Sequence, residues 1–359
     1  MIIHKAIFKE MSKNLAVIII VMSVLLFMEK FVRITRLFMG KGADLSDVMK
    51  IFVYIQPSLL LLSLPMAILI AVFLTYGRMA TDNEIIVLKS TGMSFLGISG
   101  ASLALSSICS LVLLFVSLYL LPISMQSLKH TIHETIVKKA SMTMEAGTFT
   151  DVFKGTTIFV KEIKSDDNFK GIFVYRDSEK SMKKPVVIVA KDGNMSSNPE
   201  EGLIKLSMNN GLIHSYKEKK SSKITFSTYD FILTSGVKSI NEIKPNEIKT
   251  AELWSNRNSD IAWGIELHRR FALPLACIIF GVLGPALSSR IGKIGRIGGF
   301  SVSLSILILF YTLLIVSEGL AETGKISPFM GGWAADICFG AVAVFFSYFA
   351  YKDRPIRKF

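Results

Sequence analysis

The chain of 359 residues contains no phosphate-binding glycine loop, nothing resembling a catalytic triad, and no paired-carboxylate site. Those absences exclude a self-sufficient NTPase, and no enzymatic activity is expected of the chain alone. Cysteine is scarce: Cys109, Cys277 and Cys338 are the whole complement. All three fall in long apolar stretches, where they read as small packing residues rather than a disulfide framework or a zinc site. His130, His133 and Glu134 match no zincin spacing and have no evident third ligand set, so neither a metal nor a cofactor is expected. Acidic residues are in deficit, 28 against 41 basic ones, for a net charge of +13. This excess does not point to nucleic acid. Twenty-one of the basic residues lie between Ser124 and Glu266, and the other 20 sit at the ends of apolar runs or in short loops. Membrane orientation and anionic lipid account for that placement.

What the chain has is apolar length. Hydrophobic residues make up 51% and mean hydropathy is +0.48. An apolar run of 18 or more residues reads as a membrane-spanning helix, because a hydrocarbon core of roughly 30 Å needs about 20 helical residues. A spanning β-barrel would show short alternating segments instead. Six spans are predicted. The first is cleanly apolar only from Leu15 to Met28 but continues toward Leu37. The second runs from Ile51 to Tyr76 with Pro57 and Pro65 inside, and the third from Phe95 to Leu121, stopped by Pro122. The others run from Phe271 to Leu287, from Ile297 to Val316 and from Trp333 to Tyr351. The opening Lys5, Lys9, Lys13 and apolar run look like a signal peptide, but no small-x-small site follows, so an uncleaved first helix is expected.

Six spans put both termini on one side. With the termini inside, the inner segments carry 12 basic residues and the outer ones eight, which favours that orientation. The block between the two groups of three then lies outside. It reads as β: Thr156–Val160, Gly171–Tyr175, Val186–Ala190, Leu203–Met208 and Lys223–Tyr229 are rich in β-branched and aromatic residues. Asp167-Asn168, Asp192-Gly193 and Asn210-Gly211 read as turns between them. The expected fold class is an α-helical membrane protein with six transmembrane helices, three plus three, and an inserted all-β domain. The expected domains are 1–123, the β block with its linkers at 124–266, and 267–359 with a basic cytoplasmic tail.

Two constellations stand out. Lys30, Arg33 and Arg36 are spaced by three and share one helical stripe. They read either as snorkelling anchors or as a cationic surface for an anionic lipid headgroup, and Arg269 and Arg270 could join it. Between spans two and three, Thr81 and Glu84 fit a capping box and Gly92 a helix stop. A short helix with Ile85, Ile86, Val87 and Leu88 in its body is therefore expected near 81–92. It is either a plain amphipathic connector or a coupling helix that docks into a partner ATPase, with Glu84 as cap, contact or both and Ile85 and Leu88 as the coupling residues beside it. Asp336, near the start of the sixth span, reads as interfacial, with a buried functional acid as the lesser reading. Gly292, Gly295, Gly298 and Gly299 read as a basic loop, and the pair Gly281 and Gly284 as weak evidence for close helix packing.

Taken in order, several stretches resemble the LptF/LptG permeases of the lipopolysaccharide export transporter, nearer the LptF branch. They are Met1-Ile2-Ile3, Lys30-x-x-Arg33, the loop from Asp82 to Gly92, Ala146-Gly147-Thr148-Phe149, Leu253-Trp254-Ser255-Asn256, and Glu266-Leu267-His268-Arg269-Arg270. The resemblance covers nearly the whole chain. It implies a jellyroll-like periplasmic domain and residence in a bacterial inner membrane. It also implies an LptG-like permease, an LptB-like ATPase dimer and an LptC-like periplasmic protein as partners, with lipopolysaccharide as cargo. Its lipid-contacting basic residues map onto Lys30 and Arg33, its ATPase-contacting glutamate onto Glu84, and its cavity-lining spans onto the first and fifth. The alternative is a membrane-anchored regulator or assembly factor with a periplasmic sensing domain.

Overall fold

A computed structural model describes residues 2–38, 45–138, 146–153, 156–165, 168–176, 186–198, 203–217, 220–233, 244–257, 259–291 and 295–352. The chain divides into two compact units. The helical unit comprises Met1–Lys30, Ile55–Met125 and Lys244–Phe359, and the β unit Phe31–Tyr54 and Gln126–Ile243.

Nine α-helices are described: α1 (Ile2–Phe38), α2 (Leu45–Thr81), α3 (Glu84–Ser90), α4 (Phe95–Phe115), α5 (Leu121–Lys138), α6 (Thr250–Ser255), α7 (Ile261–Ile291), α8 (Gly295–Glu322) and α9 (Pro328–Tyr351). Six helical segments among the described residues are long and apolar enough to cross a membrane, as the hydropathy predicted. Those of α2 and α7 are the most buried within the chain, those of α1 and α8 the least.

Pro122 does not end the third span. The helix passes through it, because α4 continues as a π-helical turn, Val116–Leu120, directly into α5. Proline has no N–H to give the carbonyl four residues back. That carbonyl, on Leu118, instead accepts from the Thr250 hydroxyl at 2.8 Å. The same device recurs in α7. Pro285 leaves the Gly281 carbonyl unserved, and the Ser102 hydroxyl donates to it at 2.7 Å. In lipid an orphan carbonyl costs several kcal/mol, so borrowed hydroxyls are what let proline sit in a span. Gly281 and Gly284 also make room for neighbours: a Cβ on the first would collide with Ser106, and on the second with Val72. This pair therefore packs helices, as its spacing hinted.

The β unit is an antiparallel meander. Strands β1 (Phe149–Phe153), β2 (Thr156–Ser165), β3 (Asn168–Arg176), β4 (Val186–Asn198), β5 (Leu203–Lys217) and β6 (Lys220–Leu233) lie in sequence order in one six-stranded sheet. The inserted all-β domain expected from the sequence is thus present. Alternate residues bury one face, where Ile158, Ile172, Val174, Ile188, Leu206 and Met208 form its core. Two predicted turns are absent. Asp192-Gly193 lies inside β4 and Asn210-Gly211 inside β5. Their glycines serve close approach instead: a Cβ on Gly193 would meet the Ser207 carbonyl at 2.7 Å, and one on Gly211 the Val189 carbonyl at 2.6 Å. Asn210 takes the strain of a positive φ, 54°, without shifting the register. Asp167 lies outside the described residues. On the exposed surface of the sheet, Lys205 holds Asp230 across β5 and β6 at 2.7 Å and keeps its carboxyl below the usual range.

Candidate functional site

The α1 helix sets one end of the helical unit against the other. Glu10 and Lys30 are 20 residues apart in it, a rise of about 30 Å, close to the thickness of a hydrocarbon core. Between them Val17, Ile20, Val21, Val24, Leu25 and Met28 stand exposed. The helix therefore offers an uncovered apolar face; Lys30 follows it in the chain, two residues beyond Met28 and about 200° further round the helix. Lys30 lies 3.5 Å from Glu29. Arg33 and Arg36 continue the same helix, and their side chains lie outside the described residues.

The Arg269–Arg270 pair splits. Arg269 is partly exposed, with Glu266 at 4.0 Å and Glu318 at 3.7 Å. Arg270 is 1% exposed. Its Nε donates to Glu266, its Nη1 to the Thr250 hydroxyl at 2.8 Å, and its Nη2 to the carbonyls of Ile248, Pro245 and Asn246. Thr250 in turn serves Leu118. One guanidinium fork thus knots the segment before α7, the 3-10 turn Pro245–Glu247 and the π-helical turn of the third span. Sequence spacing marks two adjacent arginines alike; only the fold separates the knot from the freer charge.

At the opposite end of the unit, α2 ends and α3 begins after a two-residue turn. The expected capping box is not formed. Asn83, at φ 61°, is the N-cap and makes no side-chain cap bond. The Thr81 hydroxyl donates to the Gly77 carbonyl at 3.0 Å and accepts the Gly295 N–H at 2.8 Å. Gly92 does stop the helix: it lies at φ 85° and donates to Lys89 at 3.0 Å, and Met93 donates to Leu88. Glu84 receives both terminal nitrogens of Arg78. Ile85 and Leu88 are buried within the chain, whereas Ile86 and Val87 are 62% and 58% exposed. Sequence reasoning placed all four in one helix body and chose Ile85 and Leu88; the face open to a partner is Ile86 and Val87.

Two further expectations change. Gly295, Gly298 and Gly299 belong to the first turns of α8, not to a loop. A Cβ on Gly299 would stand 2.8 Å from the Phe73 carbonyl, so α8 touches α2 there. Asp336 is 3% exposed, as its lesser reading had it, and among the described residues its carboxyl has no hydrogen-bond partner. No group of three or more metal-ligating side chains occurs among the described residues.

The family model for the lipopolysaccharide export system permease LptF/LptG matches residues 5–348. The chain is 21% identical over 360 aligned residues to the lipopolysaccharide export system permease protein LptF of Escherichia coli strain K12, covering 100% of this chain and 97% of that one. The same identity and coverage hold for the LptF protein of Shigella flexneri. An uncharacterised protein of Rickettsia prowazekii is 22% identical over 299 residues, 79% of this chain and 81% of its own length.

Proposed function

The chain belongs to the LptF/LptG family of lipopolysaccharide export permeases, and from that premise we propose that it is the permease subunit of an ATP-driven transporter. It would extract lipopolysaccharide from the inner membrane and pass it to a periplasmic bridge, using an LptB-like ATPase dimer, an LptG-like permease and an LptC-like protein as partners. The observation that carries this reading is the uncovered apolar face of α1 from Val17 to Met28, about 17 Å long, in a helix that continues to Lys30 and Arg33. Lipopolysaccharide is an amphiphile with anionic phosphates above acyl chains. An uncovered apolar stretch on a helix whose outer end carries cations matches both parts. The α8 helix, also poorly covered, supplies a second wall.

In this reading Lys30, Arg33 and Arg36 hold the headgroup, with Arg269 as a further cation. Arg270 holds the segment before α7 in place. The ATPase docks on α3 through Ile86 and Val87, with Glu84 held at the rim by Arg78. Ile85 and Leu88 contribute from beneath, by seating α3 on the helical unit. The chain supplies no chemistry of its own; it binds, orients and releases. Lipid leaving the bundle would travel along the apolar face of the β unit, whose core must open to admit it. The test is coexpression with an LptG-like permease and an LptB-like ATPase from the same organism. An ATPase should copurify, and its hydrolysis should rise when lipopolysaccharide is added. Purification without an ATPase, or hydrolysis indifferent to lipopolysaccharide, would reject the reading.

A further inference from the structure

Arg78 is the last basic residue of α2 and the centre of a charge cluster that joins three helices. Its Nε and Nη2 donate to the two carboxylate oxygens of Glu10 on α1, each at 2.8 Å. Its Nη1 donates to Asp82 at 2.9 Å and to Glu84 at the head of α3. One guanidinium thus faces three carboxylates. Without it they would repel one another, so α1 and α3 are held together at this point by Arg78. Three residues on, Thr81 makes a second tie: its hydroxyl accepts the N–H of Gly295, the first residue of α8, at 2.8 Å. The close seam of Gly77, Gly295 and Gly299 keeps α2 against that same end of α8. Only Asp82 and Asn83 separate α2 from α3. A displacement of α3 therefore has little slack before it reaches Arg78 and Thr81.

We propose that the Arg78–Glu10 fork and the Thr81–Gly295 bond form a strap that transmits movement of α3 to the near ends of α1 and α8. Arg78 and Thr81 are positioning residues; neither touches cargo. The helices they pull are the two that leave most of their apolar length uncovered. Force applied at the exposed Ile86 and Val87 reaches Lys30 through about 30 Å of continuous helix. This inference rests on the reading of α3 as the ATPase dock and adds the route out of it.

The experiment uses the whole transporter in proteoliposomes and measures three quantities: ATPase copurification, ATP hydrolysis, and lipopolysaccharide released per ATP. Glu10→Gln cuts the α1 arm without touching α3, and Thr81→Val cuts the α8 arm. Each should leave copurification and hydrolysis unchanged while release per ATP falls, by roughly tenfold for Glu10→Gln, a typical size for coupling between sites. A role in stability alone would lower hydrolysis and release in proportion. Wild-type release per ATP in both variants overturns the strap alone, and so does a proportional loss. A wild-type transporter that releases no lipid on ATP addition rejects the proposed function, and the strap with it.

Discussion

Arg270→Gln separates the structural arginine from Arg269, the one proposed to meet lipid. The guanidinium of Arg270 is 1% exposed and makes five hydrogen bonds, one of them to the carboxylate of Glu266, itself 11% exposed on its side chain. Breaking a buried pair by removing one partner costs about 3–5 kcal/mol, because the other charge is left buried and uncompensated. Hydrogen bonds to charged groups are each worth about 1.5–3 kcal/mol, and they do not add within one network. A loss of about 3 kcal/mol is therefore a low estimate. At roughly 2–4 °C per kcal/mol for a larger domain, Tm should fall by roughly 6–12 °C. Arg270→Lys keeps the charge but not the fork, so it should fall between the two. Arg269→Gln removes a group that is 37% exposed on its side chain and should change stability by no more than about 1 kcal/mol. The assay is thermal unfolding of the purified protein, followed by fluorescence-detected size-exclusion chromatography. Lipopolysaccharide photocrosslinking of the folded fraction is measured beside it. If Arg270→Gln melts with the wild type and loses only crosslinking, Arg270 is a lipid contact and the knot is wrong.

Two other outcomes are expected. Ile86→Asp with Val87→Asp should abolish ATPase copurification while Ile85→Val, a small change beneath the same helix, leaves it intact; normal ATPase recovery with the double aspartate would remove α3 as the dock. In a cysteine-free background, Thr228→Cys on β6, exposed in the structure, should react with an impermeant maleimide in spheroplasts, placing the β unit outside; protection there until lysis would invert the orientation.

The helices were legible because membrane spans announce themselves by length and hydropathy alone. All six were visible, and so were most of the strands, whose β-branched runs fall inside β2 to β6. What the sequence concealed was local. Pro122 reads as a stop, because nothing nearby in sequence shows that Thr250 will serve the carbonyl that the proline deprives. Asn210-Gly211 reads as a turn, because a glycine needed for close strand approach looks the same as one needed for reversal. At the candidate site, spacing found the short helix α3 and singled out the neighbours Arg269 and Arg270. It could not say which side chains of either face inward. Ile85 and Leu88 differ from Ile86 and Val87 in burial alone, and burial is decided by what α3 packs against, α4 among it, rather than by α3 itself. The Arg78 fork was invisible for a similar reason: Glu10 lies 68 residues away, on another helix.

The central claim is that α1 carries an anionic amphiphile on its uncovered face with Lys30 and Arg33 at the headgroup. The direct measurement is ATP-driven transfer of lipopolysaccharide from proteoliposomes to a soluble acceptor, with a photocrosslinker placed at Met28 to report contact. The assembled wild-type transporter should crosslink lipopolysaccharide at Met28 and release it when ATP is added. Lys30→Glu with Arg33→Glu should lose both while assembly and basal ATP hydrolysis persist, since reversal replaces attraction by repulsion. Crosslinking and release at wild-type levels in that double reversal would contradict the account and leave the stripe as interfacial anchors.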